Sequence, residues 1–363
     1  LSRRASHVDQ PVTGSGDLTR TSPEEPSVQL WTDLDQIPAG VGPSVVTIGN
    51  FDGVHAGHVQ VLGRLVERAA ELDAISVAIT FDPHPAQVHR PDEAPPLITG
   101  LQDRLLLLEE TGIDAVLVLP YSLALAGLTP EEFVSRYIVD ALGAVCVAVG
   151  RDVRFGLGNS GSLDTMVEIG ERLGFVVDVI DDVGDGPAPR WSSSAVRELL
   201  LAGDVRAAGQ MLGRPHRLRG EVVHGDARGR DLGYPTANLS QDAQGIVPAD
   251  GVYAGWVVRP SSGDQTPLPA AVSIGTNPTF DGLQRRVEAY VLDRTDLDLY
   301  GEEILVELVE RLRPTLKFDS LDALVEQMAA DVVQARDILG AEPRRGQTAD
   351  GADAADQPGA SGL

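Results

Sequence analysis

Cysteine and lysine are almost missing from this sequence: Cys146 and Lys317 are the only examples of each. A lone cysteine excludes an intramolecular disulfide and fits a reducing, cytoplasmic setting. A lone lysine means that any side-chain clamp for phosphate has to be made of arginine or histidine. Positive charge is scarce altogether, with 29 Lys+Arg against 54 Asp+Glu and a formal net charge of −25. That is the opposite of the basic footprint of a nucleic-acid binder. Polyphosphates are then bound only where they are neutralised locally, by a divalent cation, helix N-termini or a few placed arginines. A GC-rich genome and a salt-adapted surface both produce such an acidic bias. No run of 18 or more apolar residues occurs, so no membrane span is expected. Residues 1–27 are polar and carry no apolar core of a secretory signal, which predicts a disordered leader. With 363 residues, 42% hydrophobic and 23% charged, the chain has room for two globular domains.

The stretch Val45–Gly63, VVTIGNFDGVHAGHVQVLG, organises the rest. An apolar strand pattern (Val45, Val46, Ile48) stops at the polar turn Gly49-Asn50-Phe51-Asp52-Gly53, and a helical period follows in Val59, Leu62, Leu65, Val66 and Ala69. His55 and His58 stand three apart where that helix starts, so both imidazoles share the face of its first turn. Free backbone N–H groups and the positive end of the helix dipole welcome an anion there. Gly57 lacks a Cβ that would keep a phosphate away.

Short apolar strands then alternate with helices: Ala74–Phe81, Ile113–Leu119, Ala144–Val149 and Phe175–Ile180 as strands, Gly100–Thr111 and a segment from Pro130 as helices. This pattern predicts a parallel sheet wrapped by helices. Cys146, in mid-strand, reads as a buried apolar filler. The second strand ends in Asp82-Pro83-His84-Pro85, a rigid loop at the edge where doubly wound sheets take ligands. Gly150-Arg151-Asp152-Val153-Arg154-Phe155-Gly156 is either a phosphate loop or a plain glycine-rich turn. Trp191-Ser192-Ser193-Ser194 opens a helix that carries Arg197 one turn on. From Arg219 the character changes to consecutive strands (219–224, 251–259, 270–274, 286–292, 304–312) that read as an antiparallel sandwich or small barrel. A helix with Ser320 as N-cap and an apolar stripe of Leu321, Leu324, Val325, Met328 and Val332 closes the pattern, ahead of a polar tail expected to be disordered.

Within the strand-rich half, Gly220–Leu239 reads GEVVHGDARGRDLGYPTANL. In extended chain Thr236 and Asn238 point the same way and offer two oxygens of the kind Mg²⁺ prefers beside phosphates; a turn leading into an edge strand is the alternative. Glu288, inside the apolar strand Val287–Tyr290, either faces solvent or serves as a general base.

The string G-N-F-D-G-V-H-x-G-H at a strand-to-helix junction resembles the signature of the nucleotidyltransferase superfamily, and specifically the adenylyltransferase half of bacterial bifunctional riboflavin kinase/FAD synthetases. The D-P-H-P loop, the G-R-D-V-R-F-G element and W-S-S-S-A-V-R resemble further motifs of that half, with Val153 where an aromatic is usual and Trp191 where an aliphatic is. Gly220–Leu239 with its P-T-A-N element resembles the riboflavin kinase signature. The resemblance spans roughly residues 28–340. It implies a Rossmann-like nucleotidyltransferase domain (28–205) and a small antiparallel β-barrel with a terminal helix (214–340), between a leader (1–27) and a tail (341–363). It further implies nucleotide contacts at Gly49, Asn50, Phe51, Asp52, Gly57, His84, Asp152, Ser192, Ser193 and Ser194, with His55, His58 and Arg197 stabilising the departing pyrophosphate. In the barrel it implies ligand contacts at Gly225, Gly229, Arg230, Gly233 and Asn277, Mg²⁺ at Thr236 and Asn238, and Glu288 as base. The implied activity is ATP-dependent phosphorylation of riboflavin to FMN, then adenylylation of FMN to FAD. The implied partners are small molecules: riboflavin, FMN and ATP. A different H-x-G-H transferase, or a flavin-binding regulator without turnover, are the rivals; the kinase-like second half opposes the first, and the intact polar residues the second.

Overall fold

A computed structural model describes residues 28–180, 191–225, 232–279, 282–294 and 296–341. The expected leader, the tail beyond 341, Gly229 and Arg230 lie outside the described residues.

The N-terminal half is a six-stranded sheet, β1 (Gln29–Trp31), β2 (Ser44–Ile48), β3 (Ile75–Asp82), β4 (Ala115–Pro120), β5 (Ala144–Gly150) and β6 (Val176–Ile180), in the order β1-β4-β3-β2-β5-β6. All five pairings are parallel. Strand residues alternate between two cores, as a period of two requires. Val46, Val77, Ile79, Leu117 and Val147 pack on one face. Val45, Ala78, Val116, Cys146 and Ala148 pack on the other, and burial raises the pKa of the Cys146 thiol. The order reverses between β2 and β5, so their carboxyl ends open the crevice in which such sheets bind ligands. Edge strand β1 was not expected; its three residues are too few for a periodic signal, yet Trp31 is buried.

The helices are α1 (Ala56–Glu71), α2 (Pro85–His89), α3 (Leu101–Glu109), α4 (Leu123–Ala126), α5 (Pro130–Phe133), α6 (Leu163–Leu173), α7 (Ser193–Ala202), α8 (Val205–Leu212) and α9 (Leu321–Ala341). Thr129 and Glu132 form a capping box at α5, which runs on as a π-helical stretch, Val134–Asp140.

Strands β7 (His216–Val223), β8 (Ala237–Leu239), β9 (Gly251–Val258), β10 (Leu268–Thr279), β11 (Gly282–Val291) and β12 (Glu303–Pro314) close an antiparallel barrel in the order β10-β11-β8-β7-β12-β9. Closure removes unpaired edges. The barrel interior (Leu218, Val272, Val306) continues without a break into Val196 and Leu200 of α7, Met211 and Leu212 of α8, and Ile98 from the N-terminal half. Helix α9 covers Ala254, Trp256 and Val309 on the outside, using Ala335 and Leu339. Ser320 does cap it, accepting the Ala323 N–H. Its stripe lies further along than the sequence suggests, because Leu321 precedes the first contact with the barrel and is exposed.

A buried ionic cluster joins the halves. Asp103 of α3 and Arg219 of β7 meet at 2.6 Å with both side chains 3% exposed, and Arg217 approaches Asp103 at 3.6 Å. Glu303 takes the other Arg219 nitrogen at 2.6 Å.

Candidate active sites

At the switch point, the turn after β2 has φ in the left-handed region at Phe51 (+49°), Gly53 (+81°) and Val54 (+36°). Phe51 folds back over Gly49, where a Cβ would lie 2.9 Å from its ring. Its side chain was expected to touch nucleotide. Instead it is buried in the core and meets the His58 ring edge-on at 5.3 Å, because an apolar ring beneath the turn is better dry than wet. Asp52, also expected at the nucleotide, is 1% exposed and accepts from Ile98 N (3.0 Å), Thr99 N (3.1 Å) and Arg197 Nη2 (2.5 Å). A carboxylate excluded from water needs such donors. Arg197 is drawn the same way and also donates from Nε to Pro96 O at 2.9 Å. Asp52 and Arg197 thus lock the 96–99 segment to the turn. The Asn50 carbonyl accepts from Thr80 and Arg104.

His55 is the N-cap of α1, its Nδ1 accepting the His58 N–H at 3.4 Å, and the two imidazoles stack at 3.7 Å between centroids. Gly57 leaves the stack room, since a Cβ there would sit 3.3 Å from the His55 ring and press on it. Burial, then the Arg214 charge, pushes the His55 imidazole down to about 4. Burial, His55 and Arg214 together hold His58 well below its ordinary 6.5. Both rings are therefore neutral at pH 7. With Nδ1 of His55 accepting, its proton resides on Nε2. His84 repeats the device: it caps α2 with Nδ1 on the Ala86 N–H at 3.2 Å, and burial lowers its pKa.

Helix α7 begins beside α1. Trp191 Cβ lies 3.6 Å from where a Cβ on Gly57 would stand, and Ser193 Oγ donates to Asp52 O at 2.8 Å. Ser192 is the N-cap, accepting from Ala195 N, while Ser194 is exposed in the first turn. Two helix N-termini thus converge, an arrangement that suits an anion. Asp152 is exposed after β5, and Val153 packs against the core below the sheet.

In the barrel, Glu288 of β11 is directly opposite Asn238 of β8, which places both side chains on one face. Asn238 Nδ2 lies 3.4 Å from both the carbonyl and the Oγ1 of Thr236. Gly225 leaves room for it: a Cβ there would be 2.5 Å from Asn238 Oδ1. Tyr290, two residues from Glu288, meets Tyr234 edge-on at 5.2 Å. A cavity of about 390 Å³ opens at Thr236, lined also by Gly233, Ala237, Ala289, Leu299 and Tyr300. Ala289 faces it, so Glu288 is on the opposite side of the strand. Asn277 lies in β10, and its side chain is outside the description.

Two arginines escaped sequence reasoning. Arg104, 1% exposed, donates to Asn50 O (3.0 Å) and Phe81 O (2.9 Å) and so ties the ends of β2 and β3. Its signal was a charge directly before the leucine run Leu105–Leu108. Arg214, in the joint between α8 and β7, donates to Val54 O (3.0 Å) and Gly53 O (2.5 Å), 160 residues away, with no local signal.

A doubly wound sheet with a histidine-lined switch point, joined to a closed barrel bearing a Thr/Asn/Glu face, defines a two-domain nucleotide-dependent transferase. Residues 38–195 match the FAD synthetase family and residues 212–339 the riboflavin kinase family. The bifunctional riboflavin kinase/FMN adenylyltransferase of Escherichia coli K12 is 38% identical over 296 residues, covering 82% of this chain and 93% of that one. That of Pseudomonas fluorescens is 38% identical over 303 residues, covering 83% and 94%. The chain belongs to the bifunctional riboflavin kinase/FMN adenylyltransferase family. A solved structure from Streptococcus pneumoniae described as a macrolide-efflux protein superposes with a TM-score of 0.76 at 33% identity, covering 85% of this chain and 99% of that one. Among the described residues no helix is long and apolar enough to cross a membrane.

Proposed function

We propose that each half performs one of the family's two reactions, with ATP as the common substrate. In the barrel, a ribityl hydroxyl of riboflavin attacks the γ-phosphorus of ATP, the bond to the ADP oxygen breaks, and Glu288 takes the hydroxyl proton. At the switch point, a phosphate oxygen of FMN attacks the α-phosphorus of a second ATP and pyrophosphate departs. That nucleophile is already anionic, so no base is required. The stacked, neutral His55 and His58 serve as N–H donors to charge developing on the leaving group, helped by the N-termini of α1 and α7. His84 and Ser194 serve as nucleotide contacts. Asp52, Phe51 and Arg197 act from beneath, holding the turn in shape.

Thr236 Oγ1 and Asn238 Oδ1 are neutral oxygen donors of the kind Mg²⁺ accepts alongside phosphates, and the missing Cβ of Gly225 keeps the space around Asn238. When bound, the ion neutralises and orients the ATP phosphates; the two side chains would hold it. The division at 28–205 and 214–340 follows the change from alternating helices to consecutive strands. Because α8 shares its core with the barrel, a kinase fragment able to fold alone should begin before Val205. A cytoplasmic setting is supported by the single, buried Cys146.

The observation that carries the proposal is the register of Glu288 with Asn238, which puts the base and one oxygen ligand on one face, with Thr236 Oγ1 3.4 Å from the Asn238 amide. The test is incubation of purified protein with ATP and Mg²⁺, once from riboflavin and once from FMN, with products separated by chromatography. Riboflavin should give FMN and then FAD, and FMN should give FAD directly. Failure to make FMN would remove the assignment of the barrel; failure to make FAD from FMN would remove that of the sheet.

A further inference from the structure

The corner that presents His55 is under strain. Gly53 and Val54, the two residues before it, both have left-handed φ, and a β-branched residue is costly there, by roughly 1–3 kcal/mol. Such a conformation persists only when its surroundings over-determine it. From inside, the Gly53 N–H donates to Thr99 Oγ1 at 3.1 Å and Asp52 is fixed by the 98–99 amides. Both carbonyls of the corner are held from the other side, by Arg214. The Arg214 backbone is itself anchored, its N–H on Gly209 O at 3.1 Å. Two residues on, His216 is buried with Nε2 2.7 Å from Ile246 O. The fork of one guanidinium thus spans from the root of the barrel to the turn of the other domain, a geometry an ammonium cannot reproduce.

We propose that Arg214 is a positioning residue for FMN adenylylation: it fixes the Gly53–Val54 corner, so that the site on the sheet is completed by the residue that leads into the barrel. The proposal rests on the assignment of His55 and His58 to that reaction. Arg214 lies outside the Thr236/Asn238/Glu288 face, so riboflavin phosphorylation does not depend on it.

The test uses full-length Arg214→Met, which keeps length without donors, and Arg214→Lys, which keeps charge without the fork. FAD formation from supplied FMN should lose about 10–10²-fold in kcat in Arg214→Met, the scale of a misplaced catalytic group. KM for FMN should change less than about threefold and riboflavin phosphorylation less than about twofold. NMR titration of His55, whose other titratable neighbours are Asp52 and the neutral His58, should show its pKa rising from about 4 in Arg214→Met. In Arg214→Lys the titration should return towards the native value while kcat stays low. Native kcat in Arg214→Met overturns the proposal, and full recovery of kcat in Arg214→Lys shows that charge alone, not the fork, is required, which also overturns it. If Arg214→Met fails to fold, the Lys variant decides alone. Intact adenylylation in His55→Ala and His58→Ala together would instead remove the underlying assignment, and the titration still reports whether Arg214 sits against the turn.

Discussion

The two sites differ in how firmly their polar groups are held. At the switch point, Asp52, His84 and Arg197 have partners within the protein at 2.5 to 3.2 Å, and His55 has one at 3.4 Å. On the barrel face, Thr236 and Asn238 share contacts of 3.4 Å, at the long limit of a hydrogen bond. The nucleophiles of the two proposed reactions account for the difference. A phosphate monoester needs no deprotonation, so the proposed site consists of preset donors on neutral rings. An alcohol must lose a proton beside ATP, so the proposed site pairs a carboxylate with oxygens able to take a cation.

The comparison breaks most completely if both sites work without a divalent ion. Excess chelator should reduce riboflavin phosphorylation and FMN adenylylation to background; persistence of either reaction would show that arginines and helix termini alone neutralise the triphosphate. Next in size, Glu288→Gln should slow FMN formation by about 10²–10⁴-fold, while FAD made from supplied FMN survives. His58→Ala should do the converse, lowering FAD formation by about 10²–10³-fold and leaving FMN production within about twofold. Loss of riboflavin phosphorylation in folded His58→Ala would erase the division between halves. The smallest effect concerns acid. His55 and His216 have folded pKa values of about 4 against an ordinary 6.5. The unfolded chain therefore takes up protons first, and stability falls as pH drops from about 6.5 towards 4. Each group should contribute about 2 kcal/mol of loss by pH 5. Denaturant midpoints at pH 7 and pH 5 measure it, and replacing His216 by Gln should flatten the slope; an unchanged slope would show that ring to be charged in the fold.

Much of this was legible because it is written locally. The strand-turn-helix around His55, the helix start among Ser192–Ser194 and the i, i+2 pair Thr236/Asn238 each need only a few consecutive residues, and the all-β character of the second half announced itself by strands without helices between. What stayed hidden depends on contacts remote in sequence. Nothing near Asp52 indicates that its carboxylate meets Arg197 and the 98–99 amides instead of a ligand, and Phe51 in a polar turn gives no sign of folding inward. Arg214 lies 160 residues from the carbonyls it holds. Periodicity is silent about such contacts, since each forms only once segments remote in sequence have met.

The seam around Asp103 has a consequence for recombination between relatives. Arg219 and Arg217, both on β7, surround an acid supplied by α3. A chimera that joins this sheet domain to a foreign barrel inherits Asp103 without its cations unless the donor carries arginines at matching places. An uncompensated buried charge costs about 3–5 kcal/mol, a large part of a domain's whole stability. The halves can therefore diverge freely on their surfaces, yet along this joint they must be exchanged as a matched set.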